Sequence, residues 1–79
     1  MTDEKLRENI KNNLLALRKA RGLTQVDISI LTGKASPSVA SWEQGKSLPD
    51  LATLYKLAKY YGKPLEYLYE HETGKEGAE

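Results

Sequence analysis

Apolar residues recur along this chain at helical intervals, and no stretch shows the alternation of a strand. A first apolar face predicts a helix over about residues 4–21, because its members follow the spacing i, i+4, i+8, i+11. These are Leu6, Ile10, Leu14 and Leu17. Another face predicts a helix over about 50–61 that ends at Gly62. Its inner side consists of Leu51, Leu54, Leu57, Ala58 and Tyr61.

A short helix over about 25–32 is predicted between these two. Thr24 and Asp27 have the spacing of a capping box, in which a hydroxyl and a carboxylate each accept from the other residue's free amide. Gly33 ends the helix, because glycine takes the left-handed conformation without steric cost.

The next predicted helix covers about 37–44, with Ser36 as its N-cap and Pro37 at its first position. Gly45 ends it. Two helices this short cannot bury themselves, so the pair is a module within a larger helical domain, and a helix-turn-helix fits best. A last helix is predicted to open at Pro64 and to close the core with Leu65 and Leu68. The chain is therefore predicted to be all-α, with five helices.

Length and composition narrow the possibilities. A chain of 79 residues holds one domain, predicted over 1–70, followed by an acidic tail over 71–79 that is predicted to be disordered. With no cysteine and one histidine, His71, neither a disulfide framework nor a metal site is expected, and no cofactor is implied. No signal peptide and no run of about 20 apolar residues occurs, so we expect a cytoplasmic protein with no membrane segment.

The net charge of +1 hides an uneven distribution. Residues 4–63 contain eleven Lys or Arg and five Asp or Glu, a net charge of +6. Residues 64–79 contain one Lys and five Glu, a net charge of −4. A basic body of this kind can attract phosphates, although solvated helix faces alone would also explain it.

Several segments together have the order and spacing of a known family. They are Leu17–Gln25, Val39–Lys46, Pro49–Leu51, Leu57–Ala58, and Gly62 followed by Leu65 and Leu68. They resemble the Cro/cI-type helix-turn-helix proteins, the XRE family of phage and bacterial transcription repressors. The resemblance implies a compact, five-helix, lambda-repressor-like domain. It also implies a sequence-specific transcriptional regulator, a repressor, that reads the major groove of double-stranded DNA with the helix over about 37–44.

By family position, four residues of this helix read bases: Ser36, Pro37, Ser38 and Ser41. Serine can donate and accept but cannot make a bidentate contact, and Pro37 offers an apolar surface to a thymine methyl. The alternative is that the serines only solubilise the helix and that Pro37 only starts it. Val39 and Trp42 are expected to face the core instead.

A second set is expected to position the protein on phosphates rather than to read sequence. In the family the residue at the Gln25 position clamps the DNA backbone, and the amides at a helix N-terminus form an intrinsic anion site. The set comprises Thr24, Gln25, Lys34, Gln44, Lys46 and Ser47. For Thr24 the alternative is a helix cap only.

The resemblance assigns one pair to structure. In related repressors an arginine late in the first helix meets a glutamate at the end of the third, which here are Arg18 and Glu43. A guanidinium suits a bidentate, partly buried carboxylate.

Other functions are weighed against this one. Gly45-Lys46-Ser47 resembles the end of a P-loop, but Ala40 stands where that motif needs glycine, and no catalytic set is evident, so no enzyme and no small-molecule substrate are expected. The real alternative is an antitoxin or controller-type interaction module whose helical surface mainly binds a protein. A homodimer on DNA is expected, joined through a patch formed by 47–49 with Lys63, Pro64 and Tyr67.

Overall fold

The computed structural model describes residues 2–73. Within this range the chain forms five helices and no strand, which confirms the predicted all-α fold. The helices are α1 (Asp3–Ala20), α2 (Gln25–Thr32), α3 (Ser36–Glu43), α4 (Leu51–Tyr61) and α5 (Tyr67–Glu70). Helix α1 packs against α3 and α5, and α2 packs against α3 and α4. None of the helices in this range is both long and apolar enough to cross a bilayer.

Every helix contributes to one apolar core. Trp42 is buried there beside Val39, so the prediction that both face inward is confirmed. The other buried apolar residues are Ile10, Leu14, Ile28, Leu54, Leu57, Ala58, Tyr61 and Leu68. The core therefore fixes α3 by its inner side and leaves the opposite side of that helix to solvent.

The inner face of α4 differs from the prediction at its first turn. Leu51 is 69% exposed, so the prediction that it lines the core is wrong. Asp50 caps the helix, its carboxylate accepting from the Thr53 amide at 2.8 Å. Thr53 is buried in place of Leu51, because Thr53, Leu57 and Tyr61 are spaced four apart and share one side of the helix.

The ends of α2 are as predicted. The Thr24 hydroxyl accepts from the Asp27 amide at 3.1 Å, and the Asp27 carboxylate accepts from the Thr24 amide at 2.8 Å. Gly33 ends the helix at a φ of +75°, a conformation that glycine adopts without strain. The capping box at the start of α2 and the helix end at Gly33 are therefore confirmed.

The start of α3 differs from the prediction by one residue. Ala35, in extended conformation, is the N-cap, and its carbonyl accepts from the Ser38 amide at 2.9 Å. Ser36 and Pro37 are the first two residues of the helix. Proline is tolerated at the second position too, since the first four helical amides have no intrahelical acceptor. The prediction of Ser36 as the cap is wrong, and α3 has no side-chain cap.

Helix α5 begins later than predicted, at Tyr67 rather than at Pro64. The residues between them form a tight turn, in which the Tyr67 amide donates to the Pro64 carbonyl at 3.0 Å. A helix of four residues has too few internal hydrogen bonds to stand alone. Its position must come from contacts with the rest of the protein.

Two asparagines of α1 supply those contacts. Asn13 is fully buried, and the two hydrogens of its Nδ2 are shared among three carbonyl oxygens, those of Tyr67 at 3.1 Å, Leu68 at 3.0 Å and His71 at 2.8 Å. Asn9 Nδ2 donates to the Tyr69 carbonyl at 3.0 Å. The Tyr67 carbonyl also accepts from the His71 amide at 3.1 Å. Carbonyls in the last turn of a helix lack intrahelical donors, so the asparagine amides supply donors to the carbonyls of Leu68 and Tyr69.

The chain continues along α1 beyond α5. The Thr73 hydroxyl donates to Asn13 Oδ1, and Glu72 Oε1 lies 3.7 Å from Lys5 Nζ. The first three residues of the predicted tail thus contact α1. Residues 74–79 of that tail lie outside the described residues.

We predict that Asn13→Ala lowers the free energy of unfolding by about 1–3 kcal/mol, because several buried carbonyls lose their donor. Urea unfolding followed by circular dichroism measures the change. Asn12→Ala is the matched control, since the Asn12 side chain is only half-buried and makes no hydrogen bond within residues 2–73. An Asn13 variant as stable as the Asn12 variant would contradict the assignment.

Candidate nucleic-acid interface

The carboxylate at the end of α3 is held by two helices. Glu43 is only 9% exposed. Arg18 of α1 donates to it through Nε at 2.7 Å and Nη2 at 3.0 Å, and Gln25 of α2 donates through Nε2 at 3.0 Å. Arg18 Nη1 also donates to the Leu23 carbonyl at 2.8 Å. The hydrogen bond with Glu43 raises the pKa of Arg18 above its ordinary value, so the guanidinium stays charged. The structure therefore contains an ion pair between Arg18 and Glu43. The neutral side chain of Gln25 adds a hydrogen bond to the same carboxylate.

Gln25 therefore has a structural partner as well as its predicted DNA contact. Its side-chain amide carries two hydrogens, and Glu43 accepts one of them. The second hydrogen and the backbone amide remain for a phosphate oxygen. A DNA contact at Gln25 would thus be oriented by the same carboxylate that holds α3 in place.

Helix α3 carries the four predicted base-reading residues, of which Ser41 is half-buried. Ser36 and Ser38 are half-buried, and Pro37 is exposed. Ser38 also lines a groove of about 310 Å³. The remaining residues around this groove are Lys34, Trp42, Ser47, Leu48, Pro49 and Asp50. Ser38 is thus brought beside two predicted phosphate-binding residues, Lys34 and Ser47.

Ser41 and Ser47 contact each other directly. Their hydroxyl oxygens lie 2.7 Å apart. The Lys46 amide donates to the Ser41 carbonyl at 3.0 Å, so the loop after α3 folds back onto the helix. A residue predicted to read bases and one predicted to bind phosphate are therefore linked by a hydrogen bond.

Lys34 lies in the turn between α2 and α3. Its Nζ lies 3.4 Å from Asp50 Oδ2, and both side chains are exposed, so the pair contributes little to stability. Hydrogen bonds from Thr53, with a smaller effect of Lys34, lower the pKa of Asp50 to about 2. Asp50 is consequently ionised at neutral pH and competes with phosphate for the Lys34 ammonium.

In the capping box the Thr24 amide donates to Asp27, and the Thr24 hydroxyl oxygen accepts from the Asp27 amide. The bonds from Thr24 lower the pKa of Asp27 below its ordinary value, so this carboxylate is ionised beside the start of α2. The first-turn amides that have no intrahelical acceptor belong to Gln25 and Val26. These two amides lie at the helix end where an anion is predicted to bind.

Gln44 and Lys46 follow α3 and are exposed. Gly45 stands between them with a φ of +76°. Gln44 and Gly45 line a different groove, shared with the first half of α1. The structure therefore divides the predicted phosphate set between two sides of α3, with Lys34 and Ser47 on one side and Gln44 on the other.

Comparison with known proteins agrees with this geometry. The family model HTH_3, described as helix-turn-helix, matches residues 14–68. The chain belongs to the HTH_3 family. The matched range begins within α1 and ends within α5, so it includes the α2–α3 pair and both members of the ion pair. The resemblance to Cro/cI-type helix-turn-helix proteins is confirmed.

Relatives of this HTH_3 protein occur in distant organisms. The chain is 32% identical over 63 residues to an uncharacterized HTH-type transcriptional regulator of Methanocaldococcus jannaschii, covering 80% of this chain and 96% of the relative. It is 33% identical over 57 residues to another of Sinorhizobium fredii, covering 72% and 74%. A third, of Haemophilus influenzae, is 33% identical over 63 residues, covering 80% and 64%. No solved structure matches.

We predict that Arg18→Met destabilises this HTH_3 domain by about 3–5 kcal/mol, because it leaves Glu43 buried and charged without its partner. Glu43→Leu added to Arg18→Met should restore most of the loss, since the uncompensated charge is then gone. Thermal and urea unfolding of both single variants and the double variant give the coupling energy. A double variant as unstable as the sum of the single variants would contradict the coupling.

Proposed function

We propose that this chain is a sequence-specific double-stranded DNA-binding transcriptional regulator, a repressor, that reads the major groove with α3. The observation that carries the proposal is the outward side of α3: a face of small residues presented by a helix that Arg18, Gln25 and the core hold in place. Membership of the HTH_3 family supports it, as does the similarity to HTH-type transcriptional regulators.

Positioning and reading fall on different residues in this proposal. Gln25, Lys46 and the first amides of α2 grip phosphates and set the depth of α3 in the groove. Ser36, Pro37 and Ser38 then meet base edges at the N-terminal end of α3, where family members contact bases. Single hydrogen bonds from serine discriminate weakly, so affinity comes mainly from the phosphates.

The hydrogen bond between Ser41 and Ser47 makes the Ser41 hydroxyl less available to a base than that of Ser38. The Ser38 hydroxyl has no protein partner among residues 2–73, so it can bond to a base without losing another contact. The Ser41 hydroxyl must share or exchange its bond with Ser47. Ser38 is therefore expected to contribute more to base preference than Ser41.

We predict steep salt dependence, because each neutralised phosphate releases counterions. Lys46→Ala should weaken binding to every duplex, with Lys56→Ala on the exposed side of α4 as the matched control. Ser38→Ala should shift preference at one or two base pairs by about 1–3 kcal/mol or less, and Ser41→Ala should shift it by a smaller amount. Selection of bound sites from random duplexes, followed by titration at several salt concentrations, measures all of these effects.

The same titrations test the alternative of an interaction module. Affinity that does not change with salt, or that is equal for all sequences, would favour a protein-binding antitoxin or controller over a DNA reader. Preference profiles that both serine variants leave unchanged would move base reading to Pro37 and Lys34.

A homodimer is the proposed binding form, because one recognition helix reads too few base pairs to select a site in a genome. Two-fold symmetry places two recognition helices about 34 Å apart on one face of the duplex. The proposed patch joins 47–49 to Lys63, Pro64 and Tyr67. Leu48 is exposed and the Lys63 ammonium lies 4.7 Å from the centre of the Tyr67 ring, whereas Pro49 is already buried in its own protomer.

We predict that the protein sediments as a monomer without DNA and binds a palindromic operator as two copies cooperatively, because the proposed patch is small. Analytical ultracentrifugation with and without the selected operator measures both states. Leu48→Ala should reduce the cooperativity more than the half-site affinity, because it removes apolar contact area without adding a charge beside Lys34 and Ser47. A saturated complex with one protein per operator would exclude the dimer, and a tight dimer without DNA would show a larger interface.

A further inference from the structure

A second groove, of about 410 Å³, lies between the first half of α1 and the end of α3. Four α1 residues that line it follow the spacing i, i+3, i+4, i+7 and so share one stripe of the helix: Glu4, Arg7, Glu8 and Lys11. The residues around the groove are Thr2, Glu4, Lys5, Arg7, Glu8, Lys11, Gln44 and Gly45. Gln44, a predicted phosphate-binding residue, thus shares this groove with three cations of α1.

The packing of α1 on α3 brings Lys11 to this place. Lys11 precedes Arg18 by seven residues, two turns earlier on the same stripe of α1. Arg18 meets Glu43, and Lys11 meets the next turn of the chain at Gly45. A Cβ at Gly45 would lie 3.2 Å from Lys11 Cδ, so glycine at this position admits the aliphatic stem of the lysine. Arg7 lies one turn before Lys11 on the same stripe.

Of the three cations around the groove, only Lys5 forms an ion pair with a residue from 2 to 73. Lys5 pairs with Glu72, at 3.7 Å. Arg7 and Lys11 form no ion pair with any residue from 2 to 73, although Glu4 and Glu8 also line the groove. The two carboxylates leave the groove with a small net charge, so it would not concentrate a free anion strongly. It suits an anionic polymer that another part of the protein already holds, since the further contact is then intramolecular.

We infer that Arg7 and Lys11 bind backbone phosphates of duplex DNA that lie beyond the base pairs contacted by α3. The inference rests on the proposed function and extends it, because the α1 groove continues from Gln44 at the end of the reading helix. The first half of α1 then lengthens the footprint along the DNA backbone without reading sequence.

The test uses the whole chain and a duplex of about 30 base pairs, roughly three helical turns, with the selected site at its centre. Affinity is measured against salt concentration for the wild type, Arg7→Gln and Lys11→Gln. Each substitution should reduce the slope of log affinity on log salt by about 0.9, the value for one lost phosphate contact. Lys56→Gln, an exposed lysine of α4, is the control and should leave the slope unchanged. Unfolding curves establish that each variant is folded. If Lys11→Gln destabilises the domain, Arg7→Gln still tests the inference, because Arg7 is exposed.

The outcomes separate this inference from the proposed function. A steep wild-type slope with unchanged slopes in both α1 variants overturns the inference and leaves the proposed function standing. An equal loss of slope in Lys56→Gln also overturns it, because net charge would then explain the effect. A wild type with no salt-dependent affinity for the duplex overturns both.

Discussion

The buried carboxylate of Glu43 is the contact on which the placement of α3 depends. Helix α3 has eight residues, no side-chain cap and no charged residue in its first turn, so its own sequence holds it weakly. Arg18 from α1 and Gln25 from α2 converge on one carboxylate at its end, while Val39 and Trp42 anchor its inner side. Because a buried charge without its partner is costly, moving α1 away from α3 destabilises the domain.

The other end of the domain is held by amides rather than by charges. Helix α5 is one turn long, and its carbonyls, with that of His71 just after it, accept hydrogen bonds from Asn9 and Asn13 of α1. Helix α1 is thus the common support. Its apolar stripe enters the core, its asparagines hold α5, and Arg18 holds α3. A single long helix thereby connects the segment that includes α5 with α3.

Much of this architecture was predictable from the sequence, because its signals are local. The capping box at Thr24 and Asp27 and the left-handed Gly33 depend on backbone geometry within a few residues, and both were predicted correctly. The family resemblance supplied the pairing of Arg18 with Glu43, residues that lie 25 positions apart.

The features that were not predicted depend on tertiary contacts. The spacing of apolar residues gives no information about the polar residue Asn13. Its three carbonyl partners lie more than fifty residues away along the chain, and these contacts hold α5 in place. The same pattern put Leu51 in the core, whereas the Asp50 cap sets the phase of α4 and turns Thr53 inward. In the candidate site, the bond between Ser41 and Ser47 and the packing of Lys11 on Gly45 arise from the path of the chain after α3.

Three residues at the start of α3 have side chains that contribute few contacts to the fold: Ser36, Pro37 and Ser38. The side chains of Ser36 and Ser38 make no hydrogen bond to any other residue in 2–73, and Pro37 is exposed. Substitutions at such positions usually change folding free energy by only a few tenths of a kcal/mol. After gene duplication, two copies of this domain can therefore diverge at this short surface toward different targets without needing compensating changes in the core.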